Sequence, residues 1–388
     1  MKRVNIGLVG SGFCAALHAQ AYRMVSGMEA HIGAVCSLDA GRLDFAREYG
    51  IERHTDDFVS LLDDSSIDVI DICTPPMLHV DMVSAALQAS KHVICEKPLT
   101  GYFGGDGFNA NTGKVSRREM LAGVITEMDA LKVVVDACDR QFFYAENFVY
   151  APAVQKCLDF LRARRSKILY MRGEESHSGS HAAHAAHWKY NGGGSLIRQG
   201  CHPLSALLYL KAEEARLRGE PYGVRSVVAD VGVTQACLTG DERRHIDSSP
   251  VDVEDMANVV LTFLDGTKAL ITSGDMIMGG VRNLVEVFTN DGAYIGNLAP
   301  NDTMVVYHPD EERLQDVYIT EKIGNKSGWQ HVYLGEEIAR GYVGELQDFM
   351  GCVIGNDAPQ AGFDLAYETT RVLYAAYCAA EEGVRFDF

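Results

Sequence analysis

The chain has 388 residues, 47% of them hydrophobic and 23% charged, which is typical of a soluble globular protein with two domains. Its formal net charge of −18 excludes a basic nucleic-acid surface, and its ten scattered cysteines form no CxxC pair, which favours reduced thiols. No apolar run reaches the roughly 20 residues that a membrane span requires, and the N-terminus lacks a signal-peptide pattern. We therefore expect a cytoplasmic protein without nucleic-acid or membrane partners.

The N-terminal stretch VNIGLVGSGFCAALHAQAY indicates a nucleotide-binding unit. Residues 4–9 have the pattern of a buried strand, and Gly10, Gly12 and Ala15 follow as GxGxxA before a helical run. Gly10 permits a tight turn, Gly12 lets the backbone approach a pyrophosphate, and Ala15 lets the helix pack closely on the strand. The helix N-terminus then offers free N–H groups to the phosphates. The position of the motif between a strand and a helix predicts dinucleotide binding.

The next predicted strand, AHIGAVCS, ends at Ser37, where NAD-specific enzymes usually carry an acidic residue that binds the ribose hydroxyls. The nearest carboxylate is that of Asp39, two residues further along the chain. Arg42 lies on the following helix, where it is suited either to a 2′-phosphate or to solvent. The choice between NAD and NADP is therefore open.

Two further predicted strands end in polar residues. IDVIDICTPP ends at Thr74 and Pro75, before a helix with His79 near its start, and KHVICEKPL ends at Glu96 and Lys97. Because ligands of an open parallel sheet bind beyond the carboxyl ends of its strands, we expect both ends at one site. The residues expected to bind the cofactor here are Gly10, Gly12, Phe13, Ala15, Ser37, Arg42, Thr74, Pro75, His79, Glu96 and Lys97.

Five segments of the chain share their motifs with one known family. They are GLVGSGFCAALHA, DICTPPMLHVDMVSAALQASKHVICEKPL, GGGSLIRQGCHPL, VEDMANVVLTFLDGTKALI and GELQDFMGCVIGNDAPQAGFDLAYETTRVLYAAY. Together they resemble the Gfo/Idh/MocA family, the group of glucose-fructose oxidoreductase and inositol dehydrogenase. The resemblance covers nearly the whole chain, and its most specific part is EKP combined with GGGxLxxxGxH downstream.

The resemblance implies an α/β chain of two domains. An N-terminal Rossmann domain would span 1–148, and an α+β domain with an open, mostly antiparallel sheet would span 149–388. A sugar, a cyclitol or a derivative would bind in the cleft between them, and members often form homo-oligomers, so a dimer or tetramer is expected. Lys97 and His202 match the catalytic lysine and histidine of the family, and Trp188–Lys189 matches a Trp-Arg pair near the nicotinamide in some members.

The chain departs from the family pattern GGGxLxDxGxH, because Arg198 occupies the aspartate position. Arg198 and His202 are four residues apart, so on a helix they share one face. An arginine cannot act as a base near neutral pH, but its planar fork binds carboxylates, phosphates or vicinal oxygens. We expect Arg198 to bind an anionic or multiply oxygenated substrate, with an ion pair to an acidic side chain as the alternative.

A second departure is the stretch TGYFGGDGFNANTGKVSRREMLAGVITEM, which follows EKPL where the family has a helix. It adds about 25 residues, and we place the insertion at about 101–126. Loops of this length are usually functional or disordered. Because the stretch leaves from the segment of Lys97, it is predicted to cover the cleft as a lid, or else to be disordered or contact a second subunit.

A group of histidines precedes the glycines of GGGSLIRQGCHP. It consists of His177, His181, His184 and His187. Their spacing suits one face of a helix, but the only nearby acidic residues are 174–175, so no metal site is expected. Neutral imidazoles both donate and accept hydrogen bonds, which suits vicinal diols, and a plain polar loop is the alternative. The predicted substrate-binding residues are Arg198, His181, His184 and Asn147.

His202 precedes Pro203, which favours the first turn of a helix, where the charged form of a histidine is disfavoured. We expect His202 to take the proton of an alcohol while hydride leaves for NAD or NADP. Lys97, with a pKa lowered by burial, would hydrogen-bond the same oxygen. The sequence leaves open which of the two is the base. Two other functions stay possible, namely glycoside cleavage by transient oxidation with recycled NAD, and NAD(P)-dependent regulation without catalysis.

Overall fold

The structure is a computed structural model, and it describes the chain except for residues 1, 105–111, 181, 300–303, 313, 316, 318, 320–324 and 333–334. Its N-terminal strands are β1 (Arg3–Val9), β2 (Glu29–Cys36), β3 (His54–Thr55), β4 (Val69–Ile72), β5 (His92–Glu96) and β6 (Phe142–Ala145). They form one parallel sheet in the order β3-β2-β1-β4-β5-β6. The order reverses between β1 and β4, which is where an open parallel sheet binds its ligands. The predicted Rossmann-type sheet is confirmed.

Five helices pack around this sheet. They are α1 (Phe13–Tyr22), α2 (Arg42–Tyr49), α3 (Phe58–Leu62), α4 (His79–Gln88) and α5 (Arg117–Ala137), with 3₁₀ turns at Pro76–Leu78 and Thr112–Lys114. The side chain of Ser116 accepts the N–H of Glu119 and so begins α5. Residues 117–126 of the predicted insertion are therefore the first turns of α5. Residues 105–111 lie outside the described part of the chain, so the lid and interface roles stay predictions.

The second half of the chain forms a seven-stranded sheet in the order β12-β11-β7-β10-β9-β8-β15. Only β7 and β10 run parallel among its neighbouring strands, so the mostly antiparallel sheet that was expected is confirmed. The strands are β7 (Ile168–Ser176), β8 (Val224–Gly232), β9 (Met256–Phe263), β10 (Lys268–Gly274), β11 (Arg282–Thr289), β12 (Ala293–Asn297) and β15 (Phe386–Asp387). A separate pair contains β13 (Met304–His308) and β14 (Gly328–Val332).

The second half of the chain contains further helices. They are α6 (Asn147–Tyr150), α7 (Pro152–Arg164), α8 (Trp188–Asn191), α9 (Ser195–Arg198), α10 (Cys201–Arg218), α11 (Glu336–Ala339), α12 (Tyr342–Gly355) and α13 (Phe363–Glu382). On β8 and β9 the inward residues are buried against helices, whereas Val228 and Val260 are exposed on the other face. Further 3₁₀ turns lie at Ala183–Ala186 and Thr234–Cys237. Among the helices of the described residues, none combines the length and the apolar character that crossing a bilayer requires.

The C-terminal helices connect the two sheets. Helix α12 packs on α1 and β1, and α13 packs on both α5 and β8. The rings of Phe143 in β6 and Phe349 in α12 stack with centroids 4.9 Å apart, and the N–H of Tyr144 donates to the carbonyl of Ala361 at 3.0 Å. One cluster of buried apolar side chains consequently runs through both halves of the molecule.

Candidate active site

The glycine-rich turn between β1 and α1 has the shape that a pyrophosphate requires. Gly10 has a φ of +115°, and a Cβ atom there would lie 2.5 Å from the carbonyl oxygen of Cys73. At Gly12, the N-cap of α1, a Cβ atom would meet none of the described atoms within 4 Å, and no side chain caps the helix. Ala15 is fully buried against the sheet, while Phe13 is 61% exposed. These residues fit a dinucleotide, because the first N–H groups of α1 remain available to phosphate oxygens.

The end of β2 carries the groups that were expected near the adenosine ribose. The Ser11 hydroxyl donates to the hydroxyl of Ser37 at 2.9 Å, which holds Ser37 at the glycine-rich turn. The carboxylate of Asp39 accepts the N–H of Gly41 and so is used within its own turn. The guanidinium of Arg42 is paired with Asp56 at 3.2 Å. The positive charge of Arg42 is thus already balanced.

His79 connects the ends of β4 and β5. Its two ring nitrogens each lie 2.9 Å from a backbone carbonyl, those of Pro98 and Thr74, and its side chain is fully buried. Burial lowers the pKa of His79, and the two carbonyl contacts oppose this shift. The prediction that His79 contacts the cofactor is wrong, because a fully buried ring offers no surface for contact. Thr74 and Pro75 remain at the accessible strand end.

Lys97 follows β5, and its ammonium group donates to the carbonyl oxygen of Arg198 at 3.0 Å. Burial lowers the pKa of Lys97, but the neighbouring Cys201 thiol and the carboxylates of Glu96 and Glu175 raise it above its ordinary value. Because burial raises the pKa of the Cys201 thiol, this thiol is neutral at pH 7 and the two carboxylates provide the effect. The expected lowering of the Lys97 pKa is therefore wrong, and the lysine is a held cation.

Glu96 turns away from the expected cofactor site and fixes the backbone of Lys97. Its Oε2 atom accepts the N–H of Lys97 at 2.9 Å, and its Oε1 atom lies 3.3 Å from Nε2 of His18. His18 is fully buried, with Nδ1 2.9 Å from Asp71. Burial lowers the pKa of His18, but the Asp71 carboxylate raises it, and the net pKa is well above its ordinary value. A buried, positively charged His18 thus lies between the carboxylates of Asp71 and Glu96, and Glu96 in turn holds the backbone N–H of Lys97.

His202 lies in the first turn of α10, as predicted, and is 4% exposed. Its Nδ1 atom is 2.6 Å from Oε1 of Glu146, and its ring stacks on Phe148 with centroids 4.9 Å apart. Because a carboxylate only accepts, Nδ1 donates and Nε2 is the acceptor of the neutral ring. The helix terminus alone does not describe the surroundings of His202, since the Glu146 carboxylate contacts its ring. Glu146 directly follows β6, and the sequence reasoning missed it.

Arg198 does not present a free guanidinium to the cleft. It forms an ion pair with Asp275, to which the side-chain amide of Gln199 also donates. The Asp275 side chain is 1% exposed and that of Arg198 is 15% exposed. The structure therefore contains the ion pair that was the alternative prediction. Because Asp275 neutralises the guanidinium, Arg198 has no free positive charge with which to bind an anionic substrate.

The histidine group does not act as one unit. Nδ1 of His177 accepts the N–H of Gly179 at 3.0 Å, and the His187 ring packs edge-on against Tyr190. Partial burial and the charge of Arg198 lower the pKa of His184. His181 lies outside the described residues. Within the described chain, the groups of potential metal ligands closer than 4.8 Å to one another include none of these histidines.

Trp188 is a core residue, contrary to the prediction that it contacts the cofactor. Its indole is 1% exposed, lies 3.9 Å below the guanidinium of Arg117, and donates its N–H to the carbonyl of Tyr102. A side chain this buried has no surface left for a nicotinamide. The ammonium of Lys189 lies 4.8 Å above the ring of Tyr190 and is partly exposed.

The segment that precedes and begins α12 brings further groups to the site. The side-chain amide of Asn147 donates to the carbonyl of Arg340 at 2.9 Å and is 2% exposed, and its contact with substrate stays a prediction. Glu345 lies 3.8 Å from His18, and burial raises the pKa of Glu345 well above its ordinary value, which keeps it protonated. No pattern in the sequence connects residues 340–345 with the N-terminal strands.

A buried carboxylate holds the glycine segment before α9. Glu254 accepts the N–H groups of Gly194 and Leu196 at 2.8–3.0 Å and the hydroxyl of Tyr377 at 2.7 Å. These bonds fix the short helix whose last carbonyl accepts from Lys97. The acidic pair before β9, VEDMANVV, was the available signal for Glu254.

Comparisons with known proteins agree with this geometry. Residues 4–103 match the model of the Gfo/Idh/MocA oxidoreductase family with an NAD-binding Rossmann fold, and residues 166–295 match the C-terminal domain of the same family. A levoglucosan dehydrogenase of Pseudarthrobacter phenanthrenivorans is 25% identical over 86% of this chain and 81% of its own. A myo-inositol 2-dehydrogenase of Thermotoga maritima is 22% identical over 98% and 97%.

Among solved structures, GenD2 from gentamicin A biosynthesis, in complex with NAD, has a TM-score of 0.78 at 22% identity, over 100% of this chain and 97% of that one. This likeness shows the fold. The two family models together cover more than half of the chain, in the order that the two sheets take. The chain belongs to the Gfo/Idh/MocA family of oxidoreductases.

Proposed function

We propose that the protein oxidises a hydroxyl group of a neutral sugar or cyclitol, or reduces the corresponding ketone, with NAD as its cofactor. The observation that carries the proposal is the hydrogen bond between Lys97 and the segment that contains His202. The lysine ammonium is bonded to the carbonyl of Arg198, one helical turn before His202, although the two catalytic candidates are far apart in sequence. The relatives named above act on levoglucosan and myo-inositol, and both names describe hydroxyl-bearing rings.

Lys97 and His202 have different roles in the proposed reaction. The neutral His202, held by Glu146 through Nδ1, accepts the hydroxyl proton at Nε2. Lys97 is held as a cation and stabilises the oxygen as negative charge develops on it. We therefore assign His202 as the base and Lys97 as the electrostatic partner, which is the order that the contact of His202 with Glu146 supports. Bound NAD supplies the acceptor for the hydride.

The charges of the site favour a neutral substrate and an unphosphorylated ribose. Arg198 is paired with Asp275, so it adds no free positive charge for a carboxylate or phosphate. Arg42 is paired with Asp56, so the end of β2 lacks the free cation that a 2′-phosphate requires. We therefore favour NAD over NADP and polyols over sugar acids.

The cofactor site that we propose contains the glycine-rich turn and the accessible strand ends. Its members are Gly10, Gly12, Phe13, Ala15, Ser37, Arg42, Thr74, Pro75, Lys97 and Lys189. His184, whose pKa is lowered by partial burial and the charge of Arg198, is the substrate-binding candidate that remains from the histidine group.

We further propose that the chain divides at about residue 148, acts in the cytoplasm and forms a homo-oligomer. The ten cysteines, all within the described part of the chain, form no disulfide bond, which suits a reducing compartment. The exposed valines on the open face of the second sheet, Val228 and Val260, support burial of that face against a second copy.

The test combines a substrate panel with two variants. The purified protein is mixed with NAD or NADP and with sugars, cyclitols, sugar acids and glycosides, and cofactor reduction and products are followed by absorbance and mass spectrometry. Lys97→Met and His202→Asn should each lose turnover at least about 100-fold while retaining NAD binding. Lys132→Met, at a partly exposed position, and His245→Asn, at an exposed one, serve as controls.

Glycoside cleavage without net reduction of NAD would contradict the proposal and support the cyclic redox alternative. Full activity of either catalytic variant would remove that residue from the mechanism. Reduction of NADP in preference to NAD would contradict the inference that Arg42, paired with Asp56, does not bind a 2′-phosphate.

A further inference from the structure

Glu175 is a buried carboxylate that raises the pKa of Lys97 but has no role assigned to it at His202. It is the penultimate residue of β7 and is 7% exposed. Its Oε2 atom is buried and forms no hydrogen bond within the part of the chain that the structure describes. This oxygen lies 3.7 Å from Nε2 of His202. We propose that Glu175 is a positioning residue that stabilises the protonated form of His202, so the inference rests on the proposed function.

The two carboxylates beside His202 differ in what they can do. Glu146 is within hydrogen-bond distance of Nδ1, at 2.6 Å, and fixes the ring and its tautomer. Glu175 faces the other nitrogen at 3.7 Å, beyond the length of a hydrogen bond, so it acts through its charge. Glu175 Oε2 has no hydrogen-bond partner among the described residues, so its charge is not neutralised by a bonded donor there.

Proton transfer changes this arrangement. When the substrate O–H bond breaks, its proton forms a bond with Nε2, and the electron pair of the C–H bond leaves with the hydride. Nε2 then carries a hydrogen atom and the ring a positive charge. That charge lies between Glu146 and Glu175, so each carboxylate favours the protonated ring.

The surroundings keep Glu175 available for this role. Its neighbours in register on β10 and β11 are Ser273 and Asn283, which are uncharged and fully buried. The adjacent Glu174 is different, because it is bonded to the guanidinium of Arg282 at 3.0 Å. The position four residues before His202 holds Arg198, so no carboxylate reaches Nε2 from the segment of His202 itself.

Other charged or titratable groups also face the catalytic ring. Lys97 and Glu96 lie at the end of β5, Glu146 follows β6, and Cys201 precedes His202 in α10. Lys97 disfavours a positive charge on His202, and the carboxylates favour it. The variants below change only Glu175, and because its carboxylate also acts on Lys97, the readout is the titration of His202 itself.

The first experiment follows His202 itself and needs no substrate. The protein with saturating NAD is labelled at histidine, the His202 signal is assigned with His202→Asn, and its titration is recorded by NMR. In Glu175→Gln the midpoint should move to lower pH by about one unit or more, since an opposite charge within about 4–6 Å shifts a titration by about 1–3 units. In the matched control Glu174→Gln it should not move. An unchanged midpoint in Glu175→Gln would overturn the proposal.

The second experiment measures the pH profile of kcat/KM with the polyol that the substrate panel identifies. Glu175→Gln should move the acidic limb to lower pH and lower kcat about tenfold, because the base is weakened. Glu175→Asp, which keeps the charge, should recover part of kcat. A higher KM with unchanged kcat and pH profile would assign Glu175 to substrate binding instead. If the wild type oxidises no polyol, the proposed function fails, while the titration still decides the role of Glu175.

Discussion

Replacing Tyr377 by phenylalanine removes one hydrogen bond from a buried carboxylate without changing the shape of the core. The Tyr377 hydroxyl donates to Glu254 at 2.7 Å, and Glu254 is 4% exposed. A hydrogen bond to a charged group contributes about 1.5–3 kcal/mol, compared with about 0.5–1.5 kcal/mol for a neutral pair. We expect Tyr377→Phe to lower the free energy of unfolding by about 2 kcal/mol at pH 8.

The loss should depend on pH because Glu254 titrates. Burial raises the pKa of Glu254 above its ordinary value of 4.5, and the hydrogen bond from Tyr377 opposes this. A carboxyl group with a raised folded-state pKa binds its proton more tightly when folded, so its contribution to stability is full below about pH 4.5 and declines as pH rises through the folded-state pKa. Removing the hydroxyl raises that pKa further. The destabilisation should therefore be larger at pH 8 than at pH 5.

The assay is urea unfolding at both pH values, followed by the fluorescence of Trp188, whose ring lies 4.9 Å from that of Tyr377. Tyr374→Phe is the matched control, one turn earlier in α13. Among the described residues, the Tyr374 hydroxyl bonds the neutral backbone groups of Gly192 and Tyr102, so its loss should not vary with pH. A Tyr377→Phe variant that loses less than about 0.5 kcal/mol, or equally at both pH values, would refute the assigned role of Glu254.

Three other features of the structure give direct predictions. Gly10→Ala should abolish NAD binding and destabilise the fold by about 1–3 kcal/mol, whereas Gly12→Ala should retain stability and only weaken NAD binding; calorimetric titration and urea unfolding separate the two. Arg198→Met leaves the carboxylate of Asp275 unpaired and should lower the free energy of unfolding by about 3–5 kcal/mol, which Asp275→Leu in the same chain should largely restore. In the native protein, a thiol reagent should react rapidly at one site, the exposed Cys237, and mass spectrometry of the labelled peptides would show any faster site.

The sequence was sufficient for the parallel sheet, because buried strands, a glycine-rich turn and an apolar helix alternate along the chain. It also identified Lys97 and His202 through motifs with fixed spacing. The sheet pattern and the two motifs are each defined by residues that are close together in the sequence, so a sequence pattern can show them.

The residues that contact Lys97 and His202 could not be predicted from the sequence. Glu146 and Glu254 reach the site from segments with no spacing relation to His202, and only the packing of the two sheets brings them together. The incorrect cofactor contacts have the same origin. His79 and Trp188 lie at the right places along the chain, but their side chains point into the core, where their ring N–H groups meet backbone carbonyls.

The return of the C-terminal helices has a consequence for module exchange between relatives. Because α12 packs on α1 and β1, and Glu345 lies beside His18, the interior of the first half is completed by residues from the opposite end of the chain. A chimera that transplants only residues 1–148 would join a cofactor half to helices selected for another interior. A chimera that transplants residues 336–363 together with 1–148 keeps His18 and its acidic neighbours from the same parent protein.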